Sequence, residues 1–455
     1  MFKKNFFKNN KNIALIDASK NKTYTYGEIE SFKSKFEKNF KNKSIVLLIT
    51  SNSIFSILVY ISLMITKKKI ILLLVNEDIK EKFIKKIIRI YKPNYIIANK
   101  MHNLKRYNLK QKYEKYYLLE NKSINNKNLN FINKLLIPTS GTTGNPKMVR
   151  LSLENLNENT KSIIRSLDIK KIDTTITTMP MSYSYGLSII NTFLSKKAKI
   201  VVCKDSIANK NFWKYFNQYN ITNLNGVPKF YEFLNKLRFE NIFKRSLRFI
   251  TQAGGNLDLK YKKYLYNLSK KNKFIFYIMY GLTEASPRVS ILNVNKYKNK
   301  IHSVGKPIKG VNVKINLSKK NSKEGMIEIH GKNVCLGYSE KLCDLKKSDE
   351  NNSRLISGDI GFLDKDKFLY ILKRKNRISK IFGLRINLDD MEEKLLKAGI
   401  KTKCLTNDKY ILVNIFKISN KEKIKKMIYE SFGINKNFIK ISLKNNILKN
   451  KEIKL

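Results

Sequence analysis

The chain has 455 residues, 42 % hydrophobic and 11 % aromatic, enough apolar material for two or three packed domains, which excludes a disordered protein. Its 92 Lys and Arg against 35 Asp and Glu give a formal charge of +57. Nearly all of these bases are Lys, spread from end to end, whereas a nucleic-acid surface clusters its charge and favours Arg. With Asn and Ile also abundant, the diffuse charge reads as genome-wide drift toward A- and T-rich codons. No specific nucleic-acid partner is expected, only weak salt-sensitive attraction to polyanions.

The first third alternates strand and helix patterns. "SIVLLIT" (44 to 50) reads as a buried strand, "SIFSILVYISLMI" as a helix, "KKIILLLV" as a strand, "EDIKEKFIKKIIRIY" as an amphipathic helix and "NYIIA" as a strand. That βαβαβ rhythm predicts a parallel sheet with helices on both faces. The apolar run 54 to 65 ends in Lys67-Lys68-Lys69 and is far short of the roughly 20 residues of a membrane span. Met1-Phe2-Lys3-Lys4-Asn5 has no apolar signal core, and Cys203, Cys335, Cys343 and Cys404 are dispersed, with no CxxC and only three histidines. These features predict a cytoplasmic protein in a reducing compartment, with no membrane span, zinc site or disulfide framework.

The rhythm returns in "AKIVVC", "ITNLN", "SLRFITQ" and "FIFYIM", separated by helical stretches at 209 to 219 and 257 to 271. After about residue 290, "NVKINL" and "GMIEIHG" are short strands near glycines, predicting a small antiparallel or barrel-like piece. Past the charged run Lys373-Arg374-Lys375-Asn376-Arg377, a compact α/β tail follows: helix "LDDMEEKLLKAG", strand "KYILVNIF", helix "KEKIKKMIYESF" and strand "FIKISL". The predicted fold is α/β. A large N-terminal domain, 1–375, has parallel-sheet subdomains and a small β-barrel-like part; a small mobile α/β domain, 376–455, follows.

One stretch breaks the pattern of bulky side chains. Thr139-Ser140-Gly141-Thr142-Thr143-Gly144-Asn145-Pro146-Lys147 lies between an apolar run and a helix pattern beginning near Glu154. Glycine lets backbone approach a ligand, successive N–H groups form an anion nest, and Lys147 adds mobile positive charge; the set suits a polyphosphate. It is not a Walker A loop, because Gly141 and Gly144 enclose only two residues and Lys147 follows Asn145-Pro146.

This string resembles the phosphate loop of the acyl-adenylate-forming, or AMP-binding, superfamily. "GVPKFYEFL", "TQAGGNL", "MYGLTEAS", "GMIEIHGKNVCLGY" and "SGDIGFLDKDKFLYILKRKNRISKIFGLRINLDDME" are similar to its further motifs, in the same order and over essentially the whole chain. The resemblance implies an acyl-CoA synthetase-like ligase using ATP and Mg²⁺. A carboxylate attacks the α-phosphorus to give acyl-AMP and pyrophosphate, and a thiol then takes the acyl group.

On that resemblance, Thr139, Ser140, Gly141, Thr142, Thr143, Gly144 and Lys147 hold the β,γ-phosphates. Thr283 contacts the α-phosphate and Glu284 holds Mg²⁺, with Tyr280 and Gly281 in the same motif. Asp359 accepts the ribose hydroxyls, and Arg374 pairs with nucleotide oxygens. Gly254 and Gly255 leave room beside the adenine or acyl chain. Lys451 is the catalytic lysine of the C-terminal domain, although the usual preceding Gly is Asn450 and Lys449 competes. The hinge falls on Asn376, and Gly383 belongs to the loop beside the acceptor. Lys373 stands where a Gly usually precedes Arg374, and Ser152-Leu153 replaces the usual Thr-His.

"MPMSYSYGLS" resembles the segment near the acyl carboxylate, with Tyr183 in place of a frequent His and Gly186 beyond it. The segment has no acid to pair an α-ammonium, which disfavours an amino-acid substrate and leaves an uncharged acyl or aryl acid as the expectation. CoA is the expected acceptor, with an acyl carrier protein as the alternative. A non-catalytic nucleotide-binding descendant and a polyanion binder are the readings from other classes.

Overall fold

The computed structural model describes residues 6–100, 104, 106–138, 147–237, 246–317, 322–374, 378–381, 384–406, 410–416 and 419–443. These form two compact units, one running to Leu372 and the other from Lys373, with Pro138 and Lys147 grouped with the second.

In the first unit, strand Ser44–Thr50 is buried along its whole length, as its unbroken apolar run requires of a parallel strand covered on both faces. It pairs parallel with Ile70–Asn76 and Tyr95–Ala98. Its side chains alternate between two cores. Val46 and Leu48 meet helix Ile54–Ile65, whereas Ile45, Leu47 and Ile49 meet helix Glu81–Tyr91. Ten of the twelve residues of Ile54–Ile65 are buried; its apolarity serves the core. No helix among the described residues is long and apolar enough to cross a membrane. Strand Leu135–Pro138 extends the sheet in parallel, and the antiparallel hairpin Asn108–Tyr113 and Tyr116–Glu120 closes one edge.

The second large sheet has nine strands. Its parallel centre runs Ile275–Gly281, Phe249–Gln252, Asn223–Gly226, Thr174–Ile176, Lys199–Val202 and Ile13–Asp17. Lys22–Thr25 and Arg288–Asn293 are added antiparallel. One face packs toward the first sheet in a shared core; the other is covered by helices Lys210–Gln218, Pro228–Lys236 and Leu259–Lys271. Helix Leu153–Leu167 starts at a capping box in which Ser152 and Asn155 satisfy each other's backbone N–H groups. The piece after residue 290 is a four-stranded sheet in the order Val311–Leu317, Gly325–Gly331, Arg354–Leu363, Leu369–Arg374, with its first three strands antiparallel.

In the second unit, strands Thr402–Thr406, Ile411–Ile415 and Ile439–Leu443 form a sheet. Helices Leu388–Lys397 and Lys421–Phe432 supply Met391, Leu395, Ile424, Ile428 and Phe432 to a separate core with Cys404 and Val413.

Lys134 precedes strand Leu135–Pro138, is only 9 % exposed, and has its ammonium pKa pushed down to about 8 by burial. A base with a depressed folded pKa binds fewer protons than the unfolded chain between about 8 and its ordinary value, so stability rises with pH there. Lys134→Met is expected to stabilise the protein by about 2–3 kcal/mol at pH 7. In urea denaturation the gain should shrink as pH climbs from 8 toward 10.5; a gain independent of pH would contradict this origin.

Candidate functional site

Three parallel strands of the nine-stranded sheet end side by side: Asn223–Gly226, Phe249–Gln252 and Ile275–Gly281. Ligand sites of α/β sheets form outside such carboxyl ends. A Cβ on Gly281 would lie 2.2 Å from the Pro287 carbonyl oxygen, so glycine admits the returning chain. The Leu282 N–H donates to that same oxygen at 2.9 Å, and the chain turns tightly through Thr283–Ala285.

Two carboxylates are buried here. Asp359 is 1 % exposed and accepts a 2.5 Å hydrogen bond from the Tyr280 hydroxyl. It lies on strand Arg354–Leu363, where the Ser357 hydroxyl accepts from the Asp359 N–H at 3.1 Å and donates to the Ile327 carbonyl at 2.9 Å. Glu284 is 3 % exposed, and its Oε1 accepts from the Tyr338 hydroxyl at 2.9 Å. Main-chain bonds fix this turn: the Cys335 N–H donates to the Glu284 carbonyl at 2.8 Å, and Asn333 Nδ2 donates to the carbonyl of Ala285 at 2.9 Å. The Thr283 and Ser184 hydroxyls share a hydrogen bond of 3.1 Å. Burial raises the phenol of Tyr183 and pushes the Cys335 thiol up to about 12, so both stay neutral at physiological pH.

The neighbouring strand end carries Gly254 and Gly255. Gly254 has φ +86°, and a Cβ there would lie 2.7 Å from the Tyr183 hydroxyl and 3.2 Å from Val227 Cγ1. The Gly255 carbonyl accepts from Gln252 Nε2 at 2.8 Å. Tyr183 is the N-cap of helix Ser184–Ser195, and Gly186 in its first turn lies where a Cβ would be 2.3 Å from the Pro180 carbonyl oxygen. Packing alone accounts for glycine there.

Tyr280, Gly281, Thr283, Glu284 and Asp359 therefore gather at one strand end, and Tyr183 meets Gly254 beside the next. Lys147 is exposed just before strand Met148–Leu151, and Arg374 is the last residue of its strand. Thr139, Ser140, Gly141, Thr142, Thr143, Gly144, Asn376, Gly383, Lys449 and Lys451 lie outside the described residues. Sequence reasoning gave no role to Ser184, Asn333 and Tyr338, which hold this turn, or to Arg288, which pairs opposite Gly281 on the next strand. Tyr338 is 54 positions from Glu284, so local spacing carries no sign of the contact. Arg288 had a signal: only twelve residues are Arg in a chain so rich in Lys, and this one follows the Thr283-Glu284 pair closely.

A sequence profile described as AMP-binding enzyme matches residues 2–339. The chain belongs to the AMP-binding enzyme family. Among curated members, a 2-succinylbenzoate–CoA ligase of Bacillus cereus is 28 % identical over 284 residues, 60 % of this chain and 57 % of that protein. An oxalate–CoA ligase of Saccharomyces cerevisiae is 29 % identical over 263 residues, 56 % of this chain and 47 % of that one. The matched stretch thus spans about half the length of these AMP-binding relatives. By structure, the o-succinylbenzoate CoA synthetase of Bacillus subtilis superposes with a TM-score of 0.75 at 17 % identity, covering 97 % of this chain and 93 % of the other. IdnL1 superposes at 0.80 with 13 % identity, covering 96 % and 94 %. These similarities establish a shared fold.

Gly254→Ala is expected to destabilise this AMP-binding protein by about 1–2 kcal/mol, part from the positive φ and part from the clash with the Tyr183 hydroxyl. Adding Tyr183→Phe should recover the clash but not the backbone strain. A double-mutant cycle in urea that finds no coupling would contradict this contact.

Proposed function

We propose that the protein is an AMP-forming acid–thiol ligase. A substrate carboxylate attacks the α-phosphorus of ATP, forming acyl-adenylate and releasing pyrophosphate. A thiol then attacks the acyl carbon, forming a thioester and releasing AMP. The observation that carries this reading is the buried Tyr280–Asp359 hydrogen bond beside the Thr283-Glu284 turn, at the carboxyl end of the strand.

An ionised carboxylate accepts several hydrogen bonds, so Asp359, steadied by Tyr280, suits the paired hydroxyls of a ribose. Glycine at 254, with its positive φ, lets the strand end pass against the Tyr183 hydroxyl without a side chain in the way. Mg²⁺ takes one or two carboxylates along with phosphate oxygens and water. Glu284, a buried oxygen donor held by a phenol, fits that role, and the ion when bound neutralises phosphate charge. Thr283 orients the α-phosphate through its hydroxyl, which Ser184 positions. The Thr139–Lys147 loop, Arg374 and Lys451 complete the nucleotide and acid contacts on the strength of the resemblance. Lys451 brings an ammonium between two anions that otherwise repel; positioning and charge neutralisation dominate such a reaction. The C-terminal domain, 376–455, pivots at Asn376 and brings the Gly383 loop to the acceptor thiol.

Coenzyme A is the favoured acceptor, because the curated relatives are named as CoA ligases of 2-succinylbenzoate and oxalate. A reducing cytoplasmic setting suits the four free cysteines.

Carboxylic acid-dependent ATP–pyrophosphate exchange tests the reading, and nucleotide binding without exchange for any acid would overturn it. Glu284→Gln is expected to raise the Mg²⁺ concentration for half-maximal exchange about tenfold, and Tyr338→Phe about threefold; an unchanged metal profile removes Glu284 from this role. Lys451→Ala should lower exchange by about a thousandfold while ATP affinity stays within about twofold; full exchange would exclude this lysine.

A further inference from the structure

Two arginines are fully buried among the described residues, and they are built differently. Arg150 is bonded at both terminal nitrogens, although its Nε, like that of Arg288, has no hydrogen-bond partner. It pairs with Glu350 at 2.5 Å, and its other nitrogen bonds reach Asn133 and the carbonyls of Leu336, Asp344, Lys347 and Ser348. Arg288, only 2 % exposed, pairs with no carboxylate among the described residues, and its Nε is sealed without a hydrogen-bond partner. Its guanidinium instead lies 4.9 Å from the centre of the Tyr185 ring. A cation–π contact is a weak substitute for an anion at a buried cation.

The backbone holds this arrangement in place. Arg288 opens strand Arg288–Asn293 opposite Gly281. Its N–H donates to Asn159 Oδ1 at 3.1 Å, and its carbonyl accepts from Asn159 Nδ2 at 2.8 Å and Asn333 Nδ2 at 3.2 Å. The Tyr185 ring is anchored by a 2.6 Å hydrogen bond between its hydroxyl and that of Thr251. The Arg288 charge also reaches Tyr183, whose hydroxyl borders Gly254. Arg288, Tyr185, Tyr183 and Gly254 are thus linked by successive contacts, Arg288 over the Tyr185 ring, that ring edge-on to Tyr183 at 6.4 Å, and the Tyr183 hydroxyl against Gly254.

We propose that Arg288 is a specificity residue that pairs with a second carboxylate on the substrate, distal to the one activated, so that the protein selects dicarboxylic acids. This rests on the ligase reading above and replaces the expectation of an uncharged acid. That expectation came from the missing acid in 179–188; Arg288 lies outside that segment.

The test is ATP–pyrophosphate exchange with straight-chain and benzene mono- and dicarboxylic acids matched in size, alongside the thermal shift each acid produces. Wild type should prefer diacids by about 100-fold in kcat/KM, as expected where a site is built around a polar group. Arg288→Met should erase that preference, chiefly through the KM of the acid, with the KM for ATP unchanged. Arg288→Lys should keep part of it, and the melting temperature of each variant checks folding. Equal use of monoacids by wild type, or a preference surviving in Arg288→Met, overturns the proposal. If no acid supports exchange, the ligase reading fails; an Arg288-dependent thermal shift by diacids would then still uphold the anion site, and no shift would overturn it too. An Arg288-dependent shift by pyrophosphate and not by diacids would assign the residue to the nucleotide and overturn the proposal.

Discussion

The 2.5 Å hydrogen bond from Tyr280 to Asp359 joins the end of the last parallel strand to the four-stranded sheet. A carboxylate at 1 % exposure is costly to hold in a folded interior without donors. That cost is tolerated here because the same contact aligns two sheets and leaves the carboxylate beside a tight turn. Residues 79 positions apart become one site through it.

The turn repeats the principle. Glu284 is buried, its carbonyl is held by the Cys335 N–H, and its side chain by Tyr338. Asn333 ties the turn to the outgoing strand through the Ala285 and Arg288 carbonyls. Polar groups thus fix the main chain on both sides of Thr283 and Glu284, which keeps their positions insensitive to surface fluctuation. The same scaffold sets Arg288 beside Tyr185.

Much of this fold is legible in sequence, for physical reasons. Ser44–Thr50 and Ile70–Asn76 are buried on both faces, so their apolar runs are continuous and hard to misread. Strand Asn108–Tyr113 is exposed nearly throughout, and its "NLKQKY" carries no alternation to find. Strand Ile13–Asp17 depends on Lys199–Val202, far along the chain, and Thr402–Thr406 has too few apolar residues to stand out. At the site, Tyr280, Thr283, Glu284 and Asp359 are visible because they sit in ordered motifs. Tyr338 and Ser184 also lie in matching segments, "GMIEIHGKNVCLGY" and "MPMSYSYGLS", but the carboxylate and hydroxyl that they bond become apparent only once the chain has folded.

The proposed function requires that the strand end at Tyr280 and Gly281 and the Asp359 carboxylate together bind the nucleotide. Calorimetric titration of AMP into wild type and Asp359→Asn tests it most directly. The amide keeps the shape and one acceptor but loses the charge, so affinity should fall about tenfold with little change in melting temperature. Equal AMP affinity in a folded Asp359→Asn protein would contradict the account.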